Sequence, residues 1–183
     1  AHAKIYQKIA SVPTTEKKLP EINFNHLLRL TDSFGIIQHA NHSNPNIRWG
    51  YSADDNARAL IVFAQQFEKT RDPALLKPIE TYIKFLSFVS RKNGAFANIV
   101  SAVKKRDTTN SDDVYGRCMM GAAYIASSKY MPENFRDKAR VLFLTGLRNM
   151  QHIRSPRSIA FVITGLYFYN NMYPHARIKN YIK

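Results

Sequence analysis

An all-α fold is what this 183-residue chain predicts, on two observations. Apolar residues recur at three- and four-residue spacing through almost its whole length, and Pro, Gly or paired polar residues punctuate that period at short intervals. A third observation narrows the class. Some helical segments are small and apolar on nearly every side, and these alternate with amphipathic ones that carry Lys, Arg and Glu on one face.

A basic, Pro-containing lead, "SVPTTEKKLP", closes a linker over 1–20, and Pro20 suits a helical first turn. Ile22, Leu27, Leu28 and Leu30 mark a short helix, and a long polar loop follows from Ser33 to Ser52. The next helix runs from Asp54 to Lys69, with apolar residues at 57, 60, 61, 64 and 67. Pro73 opens another over 74–91, where Leu76, Ile79, Ile83, Leu86 and Val89 share a face. Gly94 breaks the pattern, and "FANIVSAV" reads as a short extended piece. Helices then fit 113–128, 133–150 and 157–172, and Pro174 opens a last one. Helices joined by such short turns pack as hairpins.

Three of these helix entrances echo one another: "SADDNARALIVFA", "NSDDVYGRCMMGAA" and "RSPRSIAFVITGL". Each leads from a polar loop into a helix of small and apolar residues, while 74–91 and 133–150 between them are amphipathic. Inner helices jacketed by polar outer ones are what an α/α toroid requires. Six hairpins close such a ring, and the chain holds little more than half of their helices. The expectation is therefore a partial toroid, its N-terminal half, over 21–183.

Hydrophobic residues at 45% and charged residues at 22% give the composition of a globular protein. The longest apolar run, "ARALIVFA", is too short to span a bilayer, so no membrane span is expected. One cysteine, Cys118, excludes an internal disulfide framework and fits a reducing, cytoplasmic setting. Without an initial Met the chain reads as a piece of a longer protein. The net charge of +14 invites a nucleic-acid reading, but Lys and Arg are scattered from Lys4 to Lys183, with no run longer than "KKR" at 104–106, which argues against it. No phosphate loop and no metal-ligand spacing occurs, His39 and His42 included, so neither cofactor nor metal is expected.

Chemistry concentrates at the acidic entrances. One aspartate at a helix start is ordinary, since it suits the dipole and the free N–H groups. Two adjacent ones repel, and here the pair occurs twice, as Asp54/Asp55 with Arg58 and as Asp112/Asp113 with Arg117. His39, Trp49, Tyr51, Asn56 and Tyr115 lie beside them in sequence. Flat amphipathic rings with amide and carboxylate partners suit a polyhydroxylated ligand.

The stretch "LTDSFGIIQHANHSNPNIRWGYSADDNARAL" resembles the signature of bacterial glycosidase-like six-hairpin (α/α)6 domains found fused to, or encoded beside, family 4-type glycosyltransferases. "SDDVYGR" and "IRSPRSIAF" resemble two further elements of that family, and the likeness spans about residues 19–169. Ser52 stands where the family usually has Cys, and Asp112 where it has Glu. The resemblance implies carbohydrate processing on an oligo- or polysaccharide, with a glycosyltransferase domain or subunit as partner. A non-catalytic glycan-binding or scaffolding role beside a glycosyltransferase is the alternative.

Glycoside cleavage needs two carboxyl groups, about 5 Å apart for retention and roughly 6.5–9.5 Å for inversion. Adjacent aspartates diverge at a helix start, so one from each entrance is the expected couple: Asp54 or Asp55 with Asp112 or Asp113. Arg58 and Arg117 are expected to position carboxylates or ligand, with Trp49 and Tyr51 as a stacking wall. Helix-start carboxylates are expected to stay ionised, which places the general acid elsewhere.

Overall fold

A computed structural model describes residues 21–182; the linker expected over 1–20 lies outside them. The α-helices are α1 (Asn25–Leu30), α2 (Ala53–Thr70), α3 (Leu76–Val89), α4 (Asp112–Ser127), α5 (Glu133–Gly146), α6 (Pro156–Met172) and α7 (Ala176–Ile182). The only strands among the described residues are two-residue pieces, β1 (Ala40–Asn41), β2 (Asn44–Pro45), β3 (Tyr51–Ser52) and β4 (Ile99–Val100). The class is all-α, and no helix among the described residues is long and apolar enough to cross a membrane.

The expected helix over 133–150 stops early, at Gly146, and continues as a 3-10 turn over Leu147–His152. Two contacts explain the change. Gly146 lies directly against the Met119 thioether, where any side chain would collide. Its carbonyl accepts the Tyr115 hydroxyl at 2.9 Å, an interaction that competes with the α-helical ladder.

Helix α4 is the centre of the molecule, with α2 on one side, α6 on the other and α5 also against it, while α3 packs on α2 and reaches α5. Helices α2, α4 and α6 run parallel. Near the starts of α2 and α4, the Cys118 thiol lies 3.8 Å from the Ala53 carbonyl; near their ends, Tyr124 donates to Glu68 at 2.8 Å. Likewise Arg157 meets Asp113 at the starts of α6 and α4, and beyond the end of α6 Tyr173 donates to the Ala126 carbonyl.

Small residues make this row possible. A methyl group on Gly116 would come 2.8 Å from the Ser158 carbonyl oxygen, and one on Gly121 would come 3.3 Å from that of Ala57. Around these contacts Phe63, Tyr82, Phe85, Leu86, Phe143 and Leu166 are fully buried. Each such side chain stabilises the fold by about 1.5–3 kcal/mol relative to exposure. Helix α6 departs from expectation. Its sequence is apolar nearly all round, yet Ile159, Ile163 and Tyr167, at successive i+4 positions, stay partly exposed, the first two bordering an open groove with Met150, Ile153 and Tyr181.

Parallel neighbours share one end, so the loops that enter α2, α4 and α6 all gather there. The expected extended piece supplies β4, which pairs with β3 in register Tyr51↔Val100. The Ala53 N–H also donates to the Asn98 carbonyl at 2.9 Å. The entrance to α2 is thus stitched to the segment that leads into α4.

Candidate functional site

Ser52 is the N-cap of α2 and Ser111 that of α4, so the aspartates sit within the first turn rather than cap it. Counting from the caps, Asp54 and Asp113 are both the second helical residue, and Arg58 and Arg117 are both the sixth. In α6, capped by Ser155, the second residue is Arg157.

These equivalent positions converge. The Arg117 Nε lies 3.4 Å from Asp113 and 3.7 Å from Asp54. Both carboxylates therefore face one guanidinium nitrogen. Arg58 reaches Asp54 at 3.2 Å and also grips Asp55, while Arg157 Nε holds Asp113 at 2.7 Å. Ser52 Oγ donates to Asp54. The Arg117 plane is steadied by Phe161, whose ring centroid lies 4.7 Å from its central carbon.

The remaining aspartates behave differently from each other. Burial, together with the adjacent Asp54 carboxylate, raises the pKa of Asp55 above the ordinary carboxylate value, against the pull of Arg58. Among the helix-start carboxylates expected to stay ionised, Asp55 is the one whose pKa moves upward. Asp112 turns away from the cluster. Its Oδ2 accepts the backbone N–H groups of Arg154 and Ser155, both at 2.8 Å, and those donors hold its pKa below the ordinary value. It lines a small cavity of about 130 Å³ with Asn110, Asn149 and His152 instead.

Three expected ligand-binding residues are structural. Tyr51 is buried, its ring against Phe34 and Phe85 and its hydroxyl donating to Asp32 at 2.6 Å, so it offers no face to a ligand. Asn56 is fully buried, and its amide joins the Ile36 N–H (3.0 Å) to the Ser52 carbonyl (2.8 Å). Tyr115 is buried and committed to the Gly146 carbonyl. Tyr51 and Asn56 anchor the entrance of α2 to the preceding loop, and Tyr115 ties α4 to the end of α5.

Trp49 is 58% exposed and stands edge-on to His39 at 5.2 Å, both on the loop that enters α2. Arg58 is half exposed and Arg117 only 19% exposed. Of the residues expected at the site, Trp49, His39, Asp54, Asp55, Asp113, Arg58 and Arg117 are therefore the ones left neither buried nor withdrawn. Sequence reasoning did not assign Arg157, although its place in the third echo, at the position the other two fill with Asp, was the available signal.

No protein-family model matches the chain, and a search of curated proteins found no match.

Proposed function

We propose that the chain is a carbohydrate-active domain, glycoside hydrolase-like, of the partial α/α toroid kind, working beside a glycosyltransferase on an oligo- or polysaccharide. The observation that carries the reading is the meeting of two distant acidic entrances, through Asp54 and Asp113, on the one Arg117 guanidinium. The parallel row α2–α4–α6, with its entrance loops at one end, supports the toroid reading.

Asp55 takes the proton-donor role in this scheme, as the carboxyl of the cluster whose burial and neighbouring Asp54 push its pKa upward. Asp113 and Asp54, held by guanidinium groups, serve as base or nucleophile. Arg117 fixes the distance between them, and Trp49 offers an apolar face to a sugar ring. A binding-only role is the second reading, favoured by the pairing of all three clustered aspartates with arginines.

The test is a hydrolysis and binding screen over an oligosaccharide set. Asp55→Asn and Asp113→Asn should each lower turnover about a hundredfold or more while binding persists, in line with the weight of general acid–base groups. Trp49→Ala should weaken binding about tenfold. Binding without turnover in the parent chain selects the second reading; sugar turnover and binding untouched by all three substitutions would sink both.

A further inference from the structure

Helices α2, α4 and α6 are joined by one repeated junction. Counting from the caps, α4 turns positions two, five, eight and twelve toward α6. Asp113 meets Arg157, Gly116 lies against Ser158, and the Met119 carbonyl and Ala123 lie against Gly165. Asp54 and Ala57, positions two and five of α2, face α4 in the same way, against Arg117 and Gly121. The receiving side repeats as well. Positions six and ten of α4, Arg117 and Gly121, take α2, and positions six and ten of α6, Phe161 and Gly165, take α4.

Each side of that junction is left open once. In α6 the outgoing positions are Arg157, Ala160, Ile163 and Tyr167, and all four are exposed, Ile163 by 41% and Tyr167 by 57%. In α2 the receiving positions are Arg58 and Val62, which are exposed too, Val62 by 42%. A row of stacked units that ends in water is ordinarily closed off by a polar face, because each unit buries its apolar side only on a neighbour. Here the open outgoing face offers an isoleucine and a tyrosine, and the open receiving face a valine. The two entrances also differ in local charge. That of α6 carries Arg154 and Arg157 with no acidic residue over 153–167, while α2 opens with Asp54 and Asp55 against the single Arg58.

We propose that a second copy of this chain covers both faces, head to tail: the outgoing face of α6 in one copy packs on the receiving face of α2 in the other. The contact follows from register and continues the junctions already made inside the chain. Its closure rests on the toroid reading above, since three parallel helices from each of two copies make up the six of one ring. A contact between unlike faces closes into a ring when its rotation returns to the start, and otherwise runs on as a filament. Because the helices stay parallel around such a ring, the clusters on Arg117 of both copies open at the same end.

Sedimentation and light scattering of the whole chain over a range of concentrations test this. The parent should form a pair. Val62→Glu and Tyr167→Glu, each of which places a carboxylate in a junction, should raise the dissociation constant of the pair about tenfold or more. Both side chains are exposed in the single copy, so its fold tolerates the change, and circular dichroism melts verify this. Val141→Glu, at a 65% exposed site on α5, should leave the pair unchanged. The sharpest arm mixes the two disrupted variants. Val62→Glu keeps a sound α6 face and Tyr167→Glu a sound α2 face, so the mixture should recover pairs through one intact junction. A parent that stays monomeric at every concentration would overturn the inference and leave the carbohydrate reading standing. So would a pair broken by Tyr167→Glu but indifferent to Val62→Glu, because α6 would then pack on itself. Assemblies that keep growing with concentration would overturn the closed ring, and the toroid reading with it.

Discussion

The entrances to α2 and α4 share a sequence pattern and differ in what they do with it. At α2 both aspartates remain in one cluster, at the second and third helical residues, with Arg58 reaching each. At α4 the pair occupies the first and second residues, so it is divided: Asp113 joins the cluster and Asp112 leaves it for the N–H groups before α6. Successive helical residues point about 100° apart, so one step of register is enough to send a side chain to a different neighbour. Position in the row matters as well. Helix α4 has α6 beside it, which takes Asp112 through the N–H groups before its start and Asp113 through Arg157, whereas α2 is flanked in the row by α4 alone. Two identical dipeptides therefore become, in one case, a pair of interacting carboxyls, and in the other a cluster member plus a structural clamp.

That contrast can be broken most severely at its foundation. Gly116→Val should cost about 3 kcal/mol in urea-measured stability, the upper end of the ordinary overpacking range, because the added side chain meets the Ser158 backbone and not a yielding side chain. The separation of α4 from α6 should also weaken the Asp113–Arg157 contact. Next in size is Arg117→Met, expected to cost about 2 kcal/mol, since it leaves Asp54 and Asp113 facing each other without their shared cation. A double-mutant cycle between Asp54→Asn and Asp113→Asn should show coupling in the parent and lose most of it in the Arg117→Met background. Additive behaviour in the parent would mean that the two entrances are not energetically joined.

The pH dependence sharpens the comparison, because the divided and undivided pairs have opposite signs. Asp112 has a lowered pKa in the fold, so the stability it confers is present above the unfolded-state value of about 4 and fades as pH falls through the lower folded value. Asp112→Ala should therefore cost about 0.5–1 kcal/mol at neutral pH, the net worth of hydrogen bonds whose N–H groups water can reach, and less in acid. Asp55 has a raised pKa, so its contribution is greatest below the unfolded-state value and is lost as pH rises through the folded one. Asp55→Asn should flatten that loss and change neutral-pH stability by under about 0.5 kcal/mol, the smallest effect of the series. Thermal melts of both variants from pH 3 to pH 8 should give slopes of opposite sign relative to the parent.

Periodicity was a good guide where each helix answers to its own sequence. The apolar spacing of 57, 60, 64 and 67 gave α2 its buried face, and Leu86 and Val89 did the same for α3. It overran at 133–150, where the early end of α5 depends on Met119 and Tyr115, residues more than twenty positions away. Residue type alone placed Tyr51, Asn56 and Tyr115 at the ligand, although each is spent on an internal hydrogen bond that ties two segments together. Aromatic and amide side chains serve binding and internal hydrogen bonding equally well, and only burial separates the two uses.

What the sequence by itself determined was the helical class, the order of helices and the two acidic entrances, because short-range spacing and turn residues act within one element. Only the tertiary structure decided that those entrances meet on Arg117, that Asp112 is withdrawn, that the Asp55 pKa rises and that Arg157 joins the group. Each of these depends on which helix lies beside which. Electrostatic and desolvation effects follow distance through space, and the spacing of residues along the chain does not encode it.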